Sequence, residues 1–163
     1  MDETDRSILE LLVENARITD TDMATMLGIP EGEIRSRIDR LQKEKVIRKF
    51  TAVVDWERVG DGGVSAIIDL KVAPERDFGY DRVAERISRF RQVKSLRLVS
   101  GVYDLQLHVT GKTMKEVARF VAEQIAPIQN IRETATHIIM KTYKENGIPF
   151  HEREMAERLP ITM

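Results

Sequence analysis

Within residues 33–50, seven cations (Arg35, Arg37, Arg40, Lys43, Lys45, Arg48 and Lys49) stand against three acids, Glu33, Asp39 and Glu44. Cations at this density attract phosphate, and an arginine can donate two parallel hydrogen bonds to a guanine edge. Spacing sorts their roles. Between Pro30 and Glu44, Ile34, Ile38 and Leu41 recur at i, i+4 and i+7, one face of a helix. At about 100° per residue, Gly32, Ser36, Asp39, Arg40 and Lys43 fall on the opposite face, with Arg35 and Arg37 on its flanks. Arg40 and Ser36 are the candidate base readers. Lys43, Arg48 and Lys49 are candidate phosphate contacts, and Arg35 and Arg37 are flanking cations of the same surface. Asp39, awkward beside phosphate, is expected to pair with Arg35 or Lys43, each four residues away. A solvated helix face of mixed charge has the same composition, so the setting of the helix decides between the two.

That setting is a pair of short helices. Thr19 is a candidate N-cap, with Asp20 and Asp22 in the first turn after it. Met23, Ala24 and Leu27 give an inward stripe, and Gly28 stops the helix by taking positive φ without penalty. Ile29 packs inward and Pro30 restarts the chain with φ already helical. The pattern is a helix-turn-helix, whose second helix can enter a DNA major groove. A helix over residues 2–16, with Ile8, Leu9, Leu12 and Ala16 inward, completes a three-helix core.

The totals exclude more than they select. The 163 residues suit one domain or two small ones, and 42% hydrophobic with 33% charged is a soluble composition. No apolar run approaches the roughly 18 residues of a membrane span, and the acidic start MDETDRSILELL does not resemble a secretory signal. The lack of cysteine excludes disulfides, thiolate metal sites and cysteine nucleophiles, and fits a cytoplasmic protein. A net charge of −1 gives no global pull toward nucleic acid. The charge is instead split: residues 2–24 hold seven acids against Arg6 and Arg17, and the cations follow in 33–50. His108, His137 and His151 lack clustered partners in sequence, so no catalytic or metal-binding group and no cofactor is expected.

After the third helix, Val46, Ile47, Phe50, Ala52, Val53 and Val54 are strand-like and read as a wing or as a strand leading to a second domain. Gly60, Gly62 and Gly63 with Asp61 mark a boundary. From Val64 the period becomes two. Strands are expected over 64–73, 93–100, 102–110 and 131–143, and helices over 78–90 and 113–125, with Ser100-Gly101 as a tight hairpin turn. The order βαββαβ is ferredoxin-like. Two helices cover one face of such a sheet, and the other face needs a partner, which predicts a dimer. The expected division is 1–50 for the winged helix-turn-helix, 51–63 for a strand and linker, 64–142 for the ferredoxin-like domain and 143–163 for a tail. The tail carries an Asn146-Gly147 turn and a short amphipathic helix through Met155 and Leu159, docked on its own domain or on a second subunit.

Several motifs in order resemble the leucine-responsive regulatory protein/AsnC family, the feast/famine regulators. They are D-x-x-D-R-x-I-L-x-L-L (Asp2 to Leu12), R-I-T with A-x-x-L-G-I (Arg17 to Ile29), R-I-x-R-L (Arg37 to Leu41), V-I (Val46, Ile47) and S-G-V-Y-D-L-Q-L-H-V (Ser100 to Val109). The resemblance covers about residues 2–142. It implies a sequence-specific transcriptional regulator that binds double-stranded DNA, assembles as homodimers or up to octamers, and responds to an amino acid or similar small effector. It places the effector pocket at Ser100, Gly101, Tyr103 and Asp104, with Thr134 and Thr136 on the facing strand. A carboxylate there can accept from an α-ammonium group, and glycine-turn amides can hold a carboxylate. Two positions depart from the family pattern. Pro30 replaces a serine N-cap, and Lys45 stands where glycine is usual, at a strain of about 1 kcal/mol. The competing functions are an enzyme like the sirohaem decarboxylases, which share this two-domain layout, and an assembly module that binds no DNA.

Overall fold

The computed structural model describes residues 1–60 and 62–150; Asp61 and the expected helix through Met155 and Leu159 lie outside them. The chain divides into two compact units, Met1–Val54 and the residues from Asp55 onward.

The first unit holds α1 (Glu3–Glu14), α2 (Asp20–Leu27) and α3 (Glu31–Lys43). Asp2 and Asp5 start α1 as a reciprocal capping box, each carboxylate accepting from the other residue's backbone N–H. Thr19 Oγ1 caps α2 by accepting from the Asp22 amide at 3.1 Å. Gly28, at φ +67°, ends α2 in the left-handed conformation. Pro30 precedes α3 without a side-chain cap, as the loss of a serine there implies. Ile8, Met23 and Ile34 form the buried centre, packed round by Leu11, Leu12, Ile18, Ala24, Leu27, Ile29 and Ile38.

α3 ends in a Schellman motif: Val46 N–H donates to Leu41 O and Lys45 N–H to Gln42 O. Lys45 itself takes the left-handed position at φ +59°, which glycine would fill without strain. Beyond it the expected strand or wing is absent. Residues 46–55 form no strand, and Val46, Phe50, Val53 and Val54 are exposed. β-Branched side chains favour a pleated surface, but they make a strand only where a neighbouring strand pairs with them.

The second unit opens with a single turn, α4 (Trp56–Val59). There follow β1 (Val64–Val72), α5 (Asp81–Ser88), β2 (Val93–Leu98), β3 (Leu105–Gly111), α6 (Met114–Phe120) and β4 (Ile131–Ile138). α6 continues into a π-helical turn, Val121–Ile125. Gly63 sits at φ +60° against Gly111, whose carbonyl oxygen would lie 2.6 Å from any Cβ placed there. The sheet is antiparallel in the order β2-β3-β1-β4, the ferredoxin-like arrangement. Ala66, Ile68, Leu70 and Val72 alternate inward along β1, opposite Leu105, Leu107 and Val109 of β3. Val83 and Ile87 of α5 join this core, with Phe120, Val121 and Ile125 from α6 and its extension.

Two expectations are corrected here. The connection between β2 and β3 is no two-residue turn: it runs from Val99 to Asp104, closed by Val99 N–H on Asp104 O at 2.9 Å. β4 stops at Ile138, and a separate two-stranded hairpin, β5 (Lys144–Glu145) and β6 (Ile148–Pro149), turns at Asn146-Gly147.

Candidate functional site

α3 carries the candidate DNA contacts, and the structure divides them. Gly32, Arg35, Ser36, Asp39, Arg40 and Lys43 line one open depression on its outer face. This set is brought together because i, i+3, i+4 and i+7 positions share a face while Ile34 and Leu41 anchor the other. Arg48 and Lys49 are exposed in the irregular segment beyond the helix.

Arg37 belongs elsewhere. Its side chain is 21% exposed and turns back to α1. Its Nη1 donates to Asp2 and to Asp5, and its Nε and Nη2 donate to Glu33 Oε1 at 2.8 and 2.7 Å. Arg40 Nη2 donates to the same Asp5 oxygen at 2.6 Å, yet its side chain stays 42% exposed on the depression. Arg35 is 66% exposed and pairs with Asp20 at 3.0 Å and Glu31 at 3.3 Å, not with Asp39.

Asp5 is the one buried charged residue among the described residues, 1% exposed. The Arg40 guanidinium, then the Asp2 amide and Arg37, hold its carboxyl far below the usual carboxylate range, against the cost of burial. Arg37 hydrogen bonding likewise lowers Asp2. These acid partners were missed in sequence because they pair with residues more than thirty positions away. The only local signal was D-x-x-D at the start of α1, which marks a helix cap.

In the second unit the six candidate effector residues fall into two places. Ser100 and Gly101 are exposed on the Val99–Asp104 connection, where Tyr103 and Asp104 are half-buried. Asp104 is already engaged: its Oδ2 accepts from the Val72 amide at 2.8 Å and its Oδ1 from the Tyr80 hydroxyl at 3.3 Å. It braces the end of β1 where the register shifts between Lys71 and Val72. Thr134 and Thr136 stand opposite Leu70 and Ile68 on the far side of β1. They line an apolar groove with Met114, Ala118, Val121 and Ala122 of the α6 segment. β1 therefore lies between the two groups.

The sheet face away from the helices is polar. Asp69 accepts from Gln106 at 3.0 Å and lies 3.4 Å from His137 Nε2. His108 Nε2 is buried with no hydrogen-bond partner among the described residues, and burial pushes the imidazole below its ordinary value.

Known proteins agree with both units. Residues 1–42 match the AsnC-type helix-turn-helix domain, and residues 65–149 match the Lrp/AsnC ligand binding domain. The chain is 44% identical over 161 residues to the uncharacterized HTH-type transcriptional regulator YugG of Bacillus subtilis, covering 98% of this chain and 97% of that one. A solved AsnC family transcriptional regulator from Agrobacterium tumefaciens superposes with a TM-score of 0.69 at 27% identity, over 89% of this chain and 94% of the other. The fold is also that of a Neisseria meningitidis transcriptional regulator solved with L-Met, at a TM-score of 0.69 and 21% identity, over 89% and 93% of the two chains. Three helices, a βαββαβ sheet, and both family matches in that order make this chain a member of the Lrp/AsnC family of helix-turn-helix transcriptional regulators.

Proposed function

We propose that the outer face of α3 reads double-stranded DNA in the major groove. Arg40 and Ser36 contact base edges, and Lys43, Arg48 and Lys49 contact phosphates. Arg35 reaches phosphate by exchanging its surface carboxylate partners. Arg37 contributes no DNA contact in this reading, since four of its five N–H groups are engaged by Asp2, Asp5 and Glu33. The observation that carries this is the depression shared by Ser36, Arg40 and Lys43 beside Gly32, whose missing side chain leaves the helix backbone open there. Residues 1–50 are the DNA-binding part, 64–142 the effector and assembly part, and 51–63 the connection.

The ligand-binding match to the second unit supports a small effector, and an amino acid suits the polar groups present. Backbone amides at Ser100 and Gly101 take its carboxylate, and Tyr103 flanks it. Asp104 shapes that connection while holding Val72 and Tyr80. With β1 between them, Ser100–Asp104 and Thr134 with Thr136 complete one pocket only when two copies contribute. Assembly as homodimers, or as octamers built from them, is part of this reading. The chain is a cytoplasmic regulator and not an enzyme.

The test is fluorescence anisotropy with the chain's own promoter DNA, titrated with salt. Binding that falls steeply with salt, and is lost when Arg40→Ala is combined with Lys43→Ala, is expected. Binding that ignores salt overturns the DNA reading. Sedimentation with and without each amino acid reports effector and assembly together, and no response to any of them removes the amino acid.

A further inference from the structure

A buried carboxylate on one helix that binds two arginines of another is costly to desolvate, and removing one partner leaves a buried charge uncompensated. Asp5 has three donors and no freedom: the Asp2 amide on Oδ2 at 3.0 Å, and Arg37 Nη1 and Arg40 Nη2 on Oδ1 at 2.9 and 2.6 Å. The two arginines are not equivalent. Arg37 is clamped from three sides and points away from the depression that the groove-facing residues line. Arg40 spends one N–H on Asp5, and its other four donors make no hydrogen bond among the described residues. Its guanidinium is thus tethered at one corner and open to the depression at the rest.

We propose that Asp5 is a positioning residue that fixes the Arg40 guanidinium on the reading face of α3, so that an α1 carboxylate helps set the base sequence that α3 selects. This rests on the DNA reading above and adds a residue that touches no DNA. A free arginine loses side-chain freedom when it docks on a base edge, whereas a tethered one has lost it already. The tether also fixes the plane of the guanidinium, and a bidentate contact to guanine depends on that plane. Arg37 completes the device by neutralising the acids round Asp5, so that the Asp5 carboxylate remains available to Arg40.

The experiment is selection of bound duplexes from a randomised pool by the full chain, compared with Asp5→Asn and Arg40→Lys. Arg40→Lys keeps a cation beside Asp5 but lacks the fork, and is expected to erase preference at one or two base pairs. Asp5→Asn is expected to relax the same base pairs and to weaken the selected site about tenfold, with binding to random duplex at low salt within about twofold. A merely structural role would lower melting temperature and all binding alike, leaving the preferred sequence unchanged, and that outcome overturns the proposal. Nitrogen relaxation of the arginine side chains in the unaltered protein decides the matter if Asp5→Asn does not fold. Arg40 is expected to be ordered before DNA is added, and an Arg40 as mobile as exposed Arg48 sinks the idea. An unaltered chain that selects no sequence overturns the DNA reading itself; one that selects a sequence which Asp5→Asn retains overturns the role of Asp5 alone.

Discussion

The two units bury different things. Among the described residues, the second unit buries fourteen apolar side chains, and its buried positions carry no charge. The first unit buries four, Ile8, Met23, Ile34 and Leu41, and with them the carboxylate of Asp5, held by two arginines of α3. In the second unit, stability and the proposed effector contacts are largely separate: Ser100, Gly101 and Thr136 are exposed while Ile68 and Leu107 hold the sheet, and Asp104, which braces the end of β1, is the exception. In the first unit stability and the proposed DNA contacts share residues, because the same ion pairs that join α1 to α3 decide which arginines face outward.

Core truncation tests this difference most strongly. Ile34→Ala and Leu107→Ala each remove a fully buried side chain, at a cost of about 2–5 kcal/mol. With so few buried neighbours, the first unit is expected to unfold on Ile34→Ala, whereas the second stays folded but weakened on Leu107→Ala. Amide hydrogen exchange read within each unit checks both. Equal loss of protection would erase the contrast.

Acid separates the units next. Asp5 and Asp2 have folded pKa values below their unfolded value of 3.8, so their stabilisation is complete above about pH 4 and fades as pH falls through the folded values. His108 is also lowered from 6.5, here by burial, so the second unit begins to lose stability as pH drops below about 6.5. Melting followed from pH 8 down to about pH 2 should show the second unit responding first, and His108→Gln should remove that early response. A first unit that weakens near pH 6 would break the assignment.

Smaller effects sharpen the picture on α3. Lys43→Ala should lower the slope of log affinity against log salt by about one, at almost no cost in stability. An unchanged slope would remove Lys43 from the phosphate contacts. Lys45→Gly should stabilise the first unit by about 0.5–1 kcal/mol by relieving the left-handed position, measured by urea unfolding.

Local, periodic signals were legible in the chain. Thr19, Gly28 and the Ile34–Ile38–Leu41 stripe predict α2, the turn and α3, and the alternation from Val64 predicts β1. Lys45 was readable as strained only through the family resemblance, in which glycine is usual at that position, and it does take φ +59°. What depended on distant partners was not legible. Val46–Val54 has the composition of a strand but pairs with no strand among the described residues. Arg37 has the spacing of a flanking cation, and only the fold brings Asp2 and Asp5 to it. The resemblance places Asp104 at the effector pocket, and its structural role was hidden because the Val72 amide it accepts from lies thirty-two residues earlier.

The unpaired stretch after α3 has a consequence for handling the protein. Val46, Phe50, Val53 and Val54 are exposed on a proline-free segment of high strand propensity, the composition that drives edge-to-edge aggregation. Arg48 and Lys49 interrupt it and act as charged gatekeepers against such stacking. Replacing both with alanine to probe DNA contact would therefore also remove the protection against precipitation, and glutamine is the better choice at each.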